Sequence, residues 1–270
     1  MSRGMVVLKL GGELLENAAR TRAAARAIAR VAAKVTLVVV HGGGKEIDAA
    51  LAQASIPNHQ VDGLRVTDDR TLQVVVSVLA GTINTQLVAA INAARGRAVG
   101  LTGADAGVGR VKPAPPHRAT NGELVDLGLV GEPLDVPGVP LVQTLCRAGF
   151  VPVIACVGAD ANGRLFNVNA DTMAGNLAAR LKASRLVIAG GTAGVLDAHG
   201  ATLASLDASA MSGMISAGTA TAGMIAKLRA CRQAMDGGVT DIIIVDGKSP
   251  RLVAVATGTA PRKGGWTRLK

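Results

Sequence analysis

Apolar residues along the chain alternate between short β-branched runs and longer helical stretches. The runs are nearly continuous in Val, Ile and Leu, as expected for strands covered on both faces, and they lie at 5–10, 37–41, 151–157, 185–189 and 241–246. Ala-rich segments that we predict to be helical separate several of them. This alternation predicts an α/β protein with a Val-rich parallel sheet flanked by Ala-rich helices.

A run of three glycines follows the strand predicted at 37–41. Gly42, Gly43 and Gly44 lead directly into a predicted helix. Glycines let the backbone turn sharply and allow another group to approach it closely, and a helix N-terminus presents free N–H groups and a positive dipole end. The stretch therefore predicts an anion site for phosphate or carboxylate. The alternative is a tight turn without a ligand, although such a turn needs one or two glycines.

A second strand–glycine–helix unit lies at the N-terminus. The strand at 5–10 contains Lys9 and runs into Gly11 and Gly12, and a helix is predicted from about Glu13 to Lys34. A lysine in a buried strand is costly unless an anion or a carboxylate meets it. The alternative is a lysine at the end of a strand that reaches solvent.

The segments that follow supply a possible clamp and a possible lid. Arg65 precedes a predicted helix over 72–79, which continues through Gly81 to another over 84–94. Arg65 is either a surface arginine or a bidentate clamp for a substrate carboxylate, and the sequence leaves both open. Residues 103–140 are rich in Gly and Pro, which predicts β-hairpins or a flexible lid over a site.

Further candidate chemistry lies near two later helix starts. Asn167 and Asn169 alternate on an extended segment, so both point to one side. Asn169 or Asp171 then begins a helix, and either could be its N-cap. The alternative for Asp171 is the carboxylate that holds buried lysine ammonium groups. Lys227 lies near the first turn of another predicted helix, where a cation opposes the dipole by about 0.3–1 kcal/mol. A bound polyphosphate would reverse that sign.

Composition and charge narrow the classes of function. Hydrophobic residues make up 49% of the 270 residues and aromatics 1%. The net charge of +10 could suggest nucleic acid, but few aromatic side chains exist to stack on bases, and no nucleic-acid motif occurs. We therefore expect no nucleic-acid partner and interpret the charge as a solvated surface that helps to attract anionic substrates.

Nothing in the hydropathy pattern indicates a membrane or secreted protein. No apolar run reaches 18 residues, and the N-terminus passes from Met1 directly toward a strand without a signal peptide. We expect a cytoplasmic protein without a membrane partner. Cys146, Cys156 and Cys231 show no metal spacing and are expected to be reduced and packed as small apolar residues.

Two expectations concern the C-terminal third. A short helix is predicted over 211–218, and the basic tail over 261–270 is expected to be frayed. The glycines at 190–194 miss a dinucleotide fingerprint by one glycine, and the residues beyond them lack a helical period, so NAD is not expected.

Five motifs in order make the chain similar to one family. The chain resembles the amino-acid kinase family, and within it the members that phosphorylate N-acetyl-L-glutamate, over about the first 245 residues. The motifs are Lys9-Leu10-Gly11-Gly12, His41-Gly42-Gly43-Gly44, Gly63-Leu64-Arg65-Val66-Thr67, Asn167-Val168-Asn169-Ala170-Asp171 and Gly223-Met224-Ile225-Ala226-Lys227.

The resemblance implies a fold and an activity. The expected fold is a three-layer α/β/α sandwich around a mainly parallel sheet of about eight strands. An N-terminal lobe, residues 1–172, would bind N-acetyl-L-glutamate and form a homodimer, and a C-terminal lobe, residues 173–270, would bind ATP with Mg²⁺. The reaction would be phosphorylation of the γ-carboxylate, the second step of arginine biosynthesis.

The resemblance also assigns roles to individual residues. Lys9 and Lys227 would stabilise the transferring phosphoryl group, and Asp171 would position them. Other assigned residues are Gly11, Gly12 and Gly43 for phosphate binding, Gly43, Gly44, Arg65 and Asn167 for the acceptor, and Gly191, Gly194, Met224 and Lys227 for the nucleotide. No protein ligand for a metal is expected.

Three departures from the family pattern leave alternatives open. Gly191 stands where the family usually has an aspartate, and the tail over 261–270 differs from the usual ending. No extra helix of the kind found in arginine-inhibited hexamers precedes Met5, which favours a dimer without arginine feedback.

Two other functions compete with this hypothesis. A sister kinase could act on a carrier-bound aminoadipate or glutamate, and a non-catalytic regulatory protein could use the same fold. Arg65 and the motif ending at Asp171 argue against the first, whereas retention of Lys9, Asp171 and Lys227 argues against the second.

Overall fold

Strands and helices alternate along most of the chain. The computed structural model describes residues 4–197, 199–217, 222–261 and 264–270, so the end of the predicted 211–218 helix and part of the 261–270 tail lie outside the described residues. The strands are β1 Met5–Leu10, β2 Thr36–His41, β3 Gln60–Val61, β4 Leu64–Arg65, β5 Ala98–Thr102, β6 Val111–Pro113, β7 His117–Arg118, β8 Leu124–Val125, β9 Gly131–Pro133, β10 Val151–Ala155, β11 Val157–Ala159, β12 Leu165–Asn167, β13 Arg185–Gly190, β14 Ser205–Leu206, β15 Ile242–Asp246 and β16 Trp266–Leu269. The α-helices are α1 Ala18–Ala32, α2 Gly44–Gln53, α3 Asp69–Val76, α4 Asn84–Ala93, α5 Pro140–Arg147, α6 Ala170–Arg180, α7 Ala208–Ala217, α8 Ala222–Asp236 and α9 Leu252–Thr257.

A single large sheet contains strands from both halves of the described chain. Its order is β14-β16-β15-β13-β1-β2-β10-β5, eight strands in the described segments, and β16 runs antiparallel to β15 while the other neighbours are parallel. Strand β1 lies between β13 and β2, with Lys9 opposite Ile188 on one side and Val40 on the other. The predicted mainly parallel sheet of about eight strands is confirmed.

Helices cover the sheet in two layers. Helix α1 contacts α4 and α9, whereas α6 contacts α8. The central strands are buried apart from a half-buried first residue in β1, β2 and β13, which explains their nearly continuous apolar sequence. The core is built from Val, Ile, Leu and Ala, with Trp266 as its largest side chain. This arrangement is the predicted three-layer α/β/α sandwich.

Several predicted element boundaries were wrong. The helix expected from Glu13 starts at Ala18, after a separate 3-10 turn over Gly12–Leu14 and an N-cap at Asn17, whose side chain accepts from Arg20 N at 3.0 Å. Gly81 does not separate two helices, because a π-helical stretch over Ser77–Ile83 joins α3 to α4. The predicted hairpin region at 103–140 does contain paired strands, β6 with β9 and β7 with β8.

The basic tail is not frayed where the structure describes it. Trp266–Leu269 forms β16, and Trp266 and Leu269 are almost fully buried. Thr267 Oγ1 donates to Leu203 O at 2.6 Å and accepts from Val195 N at 2.8 Å, which fixes the strand to the loop after β13. The prediction failed because basic residues around a short apolar pattern obscured a strand that pairs with both β14 and β15.

One helical run is long and apolar enough to cross a membrane by length and composition alone. It is the continuous run Asp69–Ala93, with a mean hydropathy of 1.9 in its most apolar window, of which 39% is buried. The sequence pattern had not predicted a run of this length. Its inner side packs into the core through residues spaced by four: Val75, Leu79, Ile83, Leu87 and Ile91. Helices in the core of soluble proteins can have the same length and composition.

Candidate active site

Three neighbouring parallel strands end in glycine at one edge of the sheet. Gly11 follows β1, Gly42 follows β2, and Gly190 closes β13. Gly11 N donates to Ala189 O at 2.8 Å, and Gly42 N donates to Leu10 O at 3.3 Å, so the hydrogen-bonded ladder continues into the loops. Ligands of open α/β sheets bind at the carboxyl ends of such strands, and a cavity of about 330 Å³ lies at this edge.

The two predicted glycine loops pack directly against each other. A Cβ on Gly12 would lie 3.1 Å from Gly43 Cα and 3.2 Å from Gly44 N, so that position has no room for a side chain. A Cβ on Gly43 would overlap the side chain of Ile83 in the π-helical stretch. A side chain at either position would therefore force its neighbours to move, and Gly44, the first residue of α2, lines the cavity.

One buried carboxylate holds two lysines beneath these loops. Lys9 Nζ lies 2.8 Å from Asp171 Oδ1, and Lys227 Nζ lies 3.5 Å from Asp171 Oδ2. Lys9 and Asp171 are each 5% exposed. Lys227 Nζ also donates to Gly223 O at 3.4 Å. Residues separated by more than 200 positions in the chain thus converge on one point.

Burial and charge pull in opposite directions on this pair. Desolvation alone would lower the pKa of Lys9, but the charge of Asp171 and the hydrogen bond to it outweigh burial and raise that pKa. Burial would likewise raise the pKa of Asp171, yet Lys9 and Lys227 bring it below its ordinary value. Both groups of the Lys9–Asp171 pair are therefore charged near neutral pH.

The N-cap of helix α6 is Asn169, not Asp171. Asn169 Oδ1 accepts from Asp171 N at 2.9 Å and from Thr172 N at 3.1 Å. Asp171 lies inside the first turn, and its carboxylate is directed to the lysines. Of the two readings left open for Asp171, the cap is therefore wrong, and the structure supports the lysine-holding role.

His41 at the end of β2 is buried, and both of its ring nitrogens are hydrogen-bonded within the protein. Its ring is fully buried; Nδ1 donates to Gly42 O at 3.1 Å, and Nε2 accepts from Asn84 Nδ2 at 3.1 Å. Burial lowers the pKa of His41 to about 4, so the ring is neutral. Asn84 also donates to Val153 O at 2.9 Å and thereby ties α4 to β10.

Arg65 lines the same cavity. Its side chain is 8% exposed and forms an ion pair with Asp48 Oδ1 at 2.6 Å, and it also donates to Asn58 Oδ1. Asn167 is anchored nearby by a bond from its Nδ2 to Thr67 Oγ1 at 3.2 Å. The surface reading of Arg65 is therefore wrong, and whether it also binds a substrate carboxylate stays a prediction.

The cavity collects most of the predicted site residues. Its lining includes the predicted Lys9, Gly11, Gly12, Gly43, Gly44, Arg65, Asn167, Asp171 and Lys227. Gly191, Gly194 and Met224 are not in that lining. Gly191 lies beside Glu13, and a Cβ on Gly194 would be 2.8 Å from Thr267 N, so Gly194 accommodates strand β16. Their roles in nucleotide binding stay predictions.

Glu13 and Asp62 line the same cavity and were not predicted. Glu13 was overlooked because the predicted helix absorbed it as an exposed helical residue. The available signal was its position, a carboxylate directly after Lys-x-Gly-Gly in a predicted anion site. Asp62 carries no comparable signal, because its pairing with His117 Nε2 at 2.8 Å joins residues 55 positions apart.

The sequence matches a family of phosphate-transferring enzymes. Residues 4–246 match the family described as "Amino acid kinase family". The chain therefore belongs to the amino acid kinase family, as its motifs predicted.

Within that family one curated relative is similar over most of its length. Acetylglutamate kinase of Stutzerimonas stutzeri (strain A1501) is 39% identical over 253 residues, which cover 92% of this chain and 84% of the relative. This similarity confirms the resemblance to the members that act on N-acetylglutamate.

Solved structures share the fold at lower identity. N-acetylglutamate synthase from Neisseria gonorrhoeae, complexed with coenzyme A and N-acetyl-glutamate, superposes with a TM-score of 0.80 at 23% identity; the match covers all of this chain and 60% of that one. Carbamate kinase from Giardia lamblia, bound to citric acid, gives 0.70 at 15% identity, with 99% of each chain covered. The predicted fold class is thereby confirmed.

The buried ion pair makes a testable prediction about stability. Removing one partner of a buried pair leaves an uncompensated charge and costs about 3–5 kcal/mol, whereas replacing both can be nearly neutral. We expect Lys9→Met and Asp171→Asn each to lower the free energy of unfolding in urea more than the double variant does. If the loss of unfolding free energy in the double variant equals the sum of the losses in the two single variants, the two groups do not interact.

Proposed function

We propose that the chain transfers the γ-phosphoryl group of ATP to the γ-carboxylate of N-acetyl-L-glutamate, the second step of arginine biosynthesis. The product is N-acetylglutamyl 5-phosphate. The observation that carries the proposal is Asp171 holding Lys9 and Lys227 where two glycine loops meet. The 39% identity to an acetylglutamate kinase supports the choice of acceptor.

The reaction suits a site without a general base. A carboxylate is already ionised at neutral pH, so its oxygen attacks the γ-phosphorus directly and no proton moves. The new bond joins that oxygen to phosphorus, and the bond from phosphorus to the β,γ-bridging oxygen breaks to release ADP. The obstacle is repulsion between two anions, which fixed positive charge and N–H donors relieve. The neutral His41 is consistent with this chemistry.

The described residues divide this work between them. Lys9 is buried under both glycine loops, where its ammonium would meet the transferring phosphoryl group. Lys227 is 20% exposed on its side chain and would meet the phosphates from the nucleotide side. Asp171 would hold both ammonium groups in place before substrates arrive, so little reorganisation is needed during the reaction.

Several finer assignments belong to the same proposal. Residues 1–172 would bind the acceptor through Arg65 and Asn167, and residues 173–270 would bind ATP. Mg²⁺ would accompany the nucleotide and neutralise charge on its phosphates. The unpaired state of all three cysteines suits a cytoplasmic location.

The acceptor assignment predicts a selective effect at Arg65. We expect N-acetyl-L-glutamate to be phosphorylated in preference to glutamate, aspartate and aminoadipate in a coupled assay of ADP release. Arg65→Ala should raise KM for N-acetyl-L-glutamate about 10-fold or more and change KM for ATP little, because a charged hydrogen bond to the acceptor is lost.

An exposed arginine outside the cavity provides the control. Arg147→Ala, at the end of α5, should leave both KM values unchanged. If Arg65→Ala weakens ATP and not the acceptor, the assignment is wrong. Preference for aminoadipate or a carrier-bound substrate would favour the sister kinase.

Lys227 should act mainly on the rate of transfer. Its contact with the phosphates strengthens as charge moves to the leaving oxygen, so we expect Lys227→Ala to lower kcat about 10²-fold or more. Lys227→Arg should restore little activity, since a planar guanidinium does not replace a compact ammonium. Lys34→Ala, which changes an exposed lysine just after α1, is the matched control and should leave kcat unchanged. If kcat is also unchanged in Lys227→Ala, Lys227 has no part in the mechanism.

A homodimer is the proposed assembly, with the run Asp69–Ala93 at its interface. The outward side of this run carries small or uncharged residues spaced by four, namely Gln73, Ser77, Gly81, Thr85 and Ala89, all exposed. Neighbouring valines on the same run are half-buried, and much of its most apolar window remains uncovered. A second copy would cover this surface.

The dimer proposal predicts that one substitution separates the subunits. Thr85→Arg places a long cation within the exposed stripe, and we expect it to shift the sedimenting species from dimer to monomer. Ala19→Arg, exposed on α1, should leave the dimer intact. A monomer in the unchanged protein, or a dimer insensitive to Thr85→Arg, would contradict this interface.

A further inference from the structure

Glu13 brings a carboxylate into a cavity where the other two carboxylates, Asp62 and Asp171, already have partners. It lies in the 3-10 turn between β1 and α1 and lines the cavity together with Lys9, Asp171 and Lys227. Asp171 is neutralised by its lysines. Among the residues that the structure describes, Glu13 has no carboxylate hydrogen bond and no ion pair within 4.0 Å.

Three glycines make room for this carboxylate. A Cβ on Gly11 would overlap Glu13 Oε2, and Cβ atoms on Gly190 and Gly191 would lie 3.2 and 3.3 Å from Glu13 Oε1. Lys227 approaches the same place, because its Cε would lie 3.8 Å from the Cβ on Gly190. The carboxylate thus lies between the ends of β1 and β13, beside the lysine that we assign to the nucleotide phosphates.

An unpaired carboxylate there has opposite effects on free and metal-bound nucleotide. It repels the triphosphate of metal-free ATP, but it attracts a divalent cation carried by the same phosphates. Mg²⁺ is usually bound by one or two carboxylates together with substrate phosphates, not by an all-protein cage. The donor set fits this pattern, since within the described segments no group of three His, Cys, Asp or Glu side chains could hold a metal alone.

We infer that Glu13 is the protein's carboxylate ligand, direct or through water, for the Mg²⁺ that enters with ATP. The inference rests on the proposed function, because it requires ATP at Lys227. When bound, the cation supplies positive charge to the phosphate oxygens. Glu13 would fix the side of the cavity on which that charge lies, and the absence of side chains at Gly190 and Gly191 would leave the carboxylate free to reach it.

The alternative is a purely structural carboxylate that supports the turn or adds long-range attraction for Lys9 and Lys45. Both lysines feel the charge of Glu13, but each has a closer partner: Lys9 pairs with Asp171 at 2.8 Å and Lys45 with Glu16 at 2.6 Å. Loss of a structural carboxylate would change metal-free and metal-bound ATP binding in the same direction.

The test measures ATP binding by titration calorimetry on the full chain, once with EDTA and once with saturating Mg²⁺. We expect Glu13→Gln to tighten the binding of metal-free ATP and to weaken the binding of MgATP. The dissociation constant of metal-free ATP divided by that of MgATP should therefore fall about 10-fold or more. Glu13→Asp keeps the charge on a shorter side chain, so its ratio should lie between those of the parent chain and Glu13→Gln. Glu16→Gln, one turn away and engaged with Lys45, should leave the ratio unchanged.

A second measurement follows the metal directly. Free Mn²⁺ gives an electron paramagnetic resonance signal that is lost when the ion binds. With a non-hydrolysable ATP analogue present, the parent chain should remove this signal, and Glu13→Gln should require about 10-fold more protein to remove the same fraction. An unchanged ratio of dissociation constants in Glu13→Gln, with metal-dependent binding intact in the parent chain, would overturn this inference alone. No ATP binding by the parent chain would overturn the proposed function and the inference with it.

Discussion

The site depends on one buried carboxylate shared by two ammonium groups. Asp171 would be unfavourable as an anion in this interior without Lys9, and Lys9 would be unfavourable as a cation without Asp171. Each group therefore keeps the other charged. Two ammonium groups share one carboxylate, so the cluster keeps a net positive charge at the cavity, which favours transfer between two anions.

The sheet topology makes this pair possible. Lys9 lies in β1, which is the strand between β13 and β2, so it lies at the edge where the glycine-ended loops of both neighbours also emerge. Helix α6 delivers Asp171 over β1, and α8 packs on α6 and delivers Lys227. Backbone-to-backbone packing of Gly12 on Gly43 then leaves no side chain between the loops and the cavity.

Polar residues in the core have structural as well as chemical tasks. His41 and Asn84 form a neutral hydrogen-bonded link between the end of β2, the helical layer and β10. Because the ring is neutral and its two nitrogens are both engaged, it can lie under the glycine loop without adding a group that titrates near neutral pH. Asn169 similarly caps α6, which leaves the Asp171 side chain available for the lysines.

The sequence by itself determined the elements whose signals are local. β-branched runs predicted the central strands, and glycine runs predicted the loops at their ends. The short motifs around Lys9, Asp171 and Lys227 predicted the family and residues that line the cavity. These signals are reliable because a strand buried on both faces is mostly apolar along its length, and a loop packed closely on another backbone favours glycine.

Only the tertiary structure decided what depends on contacts between distant segments. It assigned the N-cap to Asn169, because Asp171 is drawn away by Lys9 and Lys227. It turned the basic tail into strand β16, because Trp266 fills the core against β15. It also placed Glu13 against Gly190 and Gly191, which no spacing in the sequence could show, since the turn after β1 and the end of β13 are neighbours only in the folded sheet.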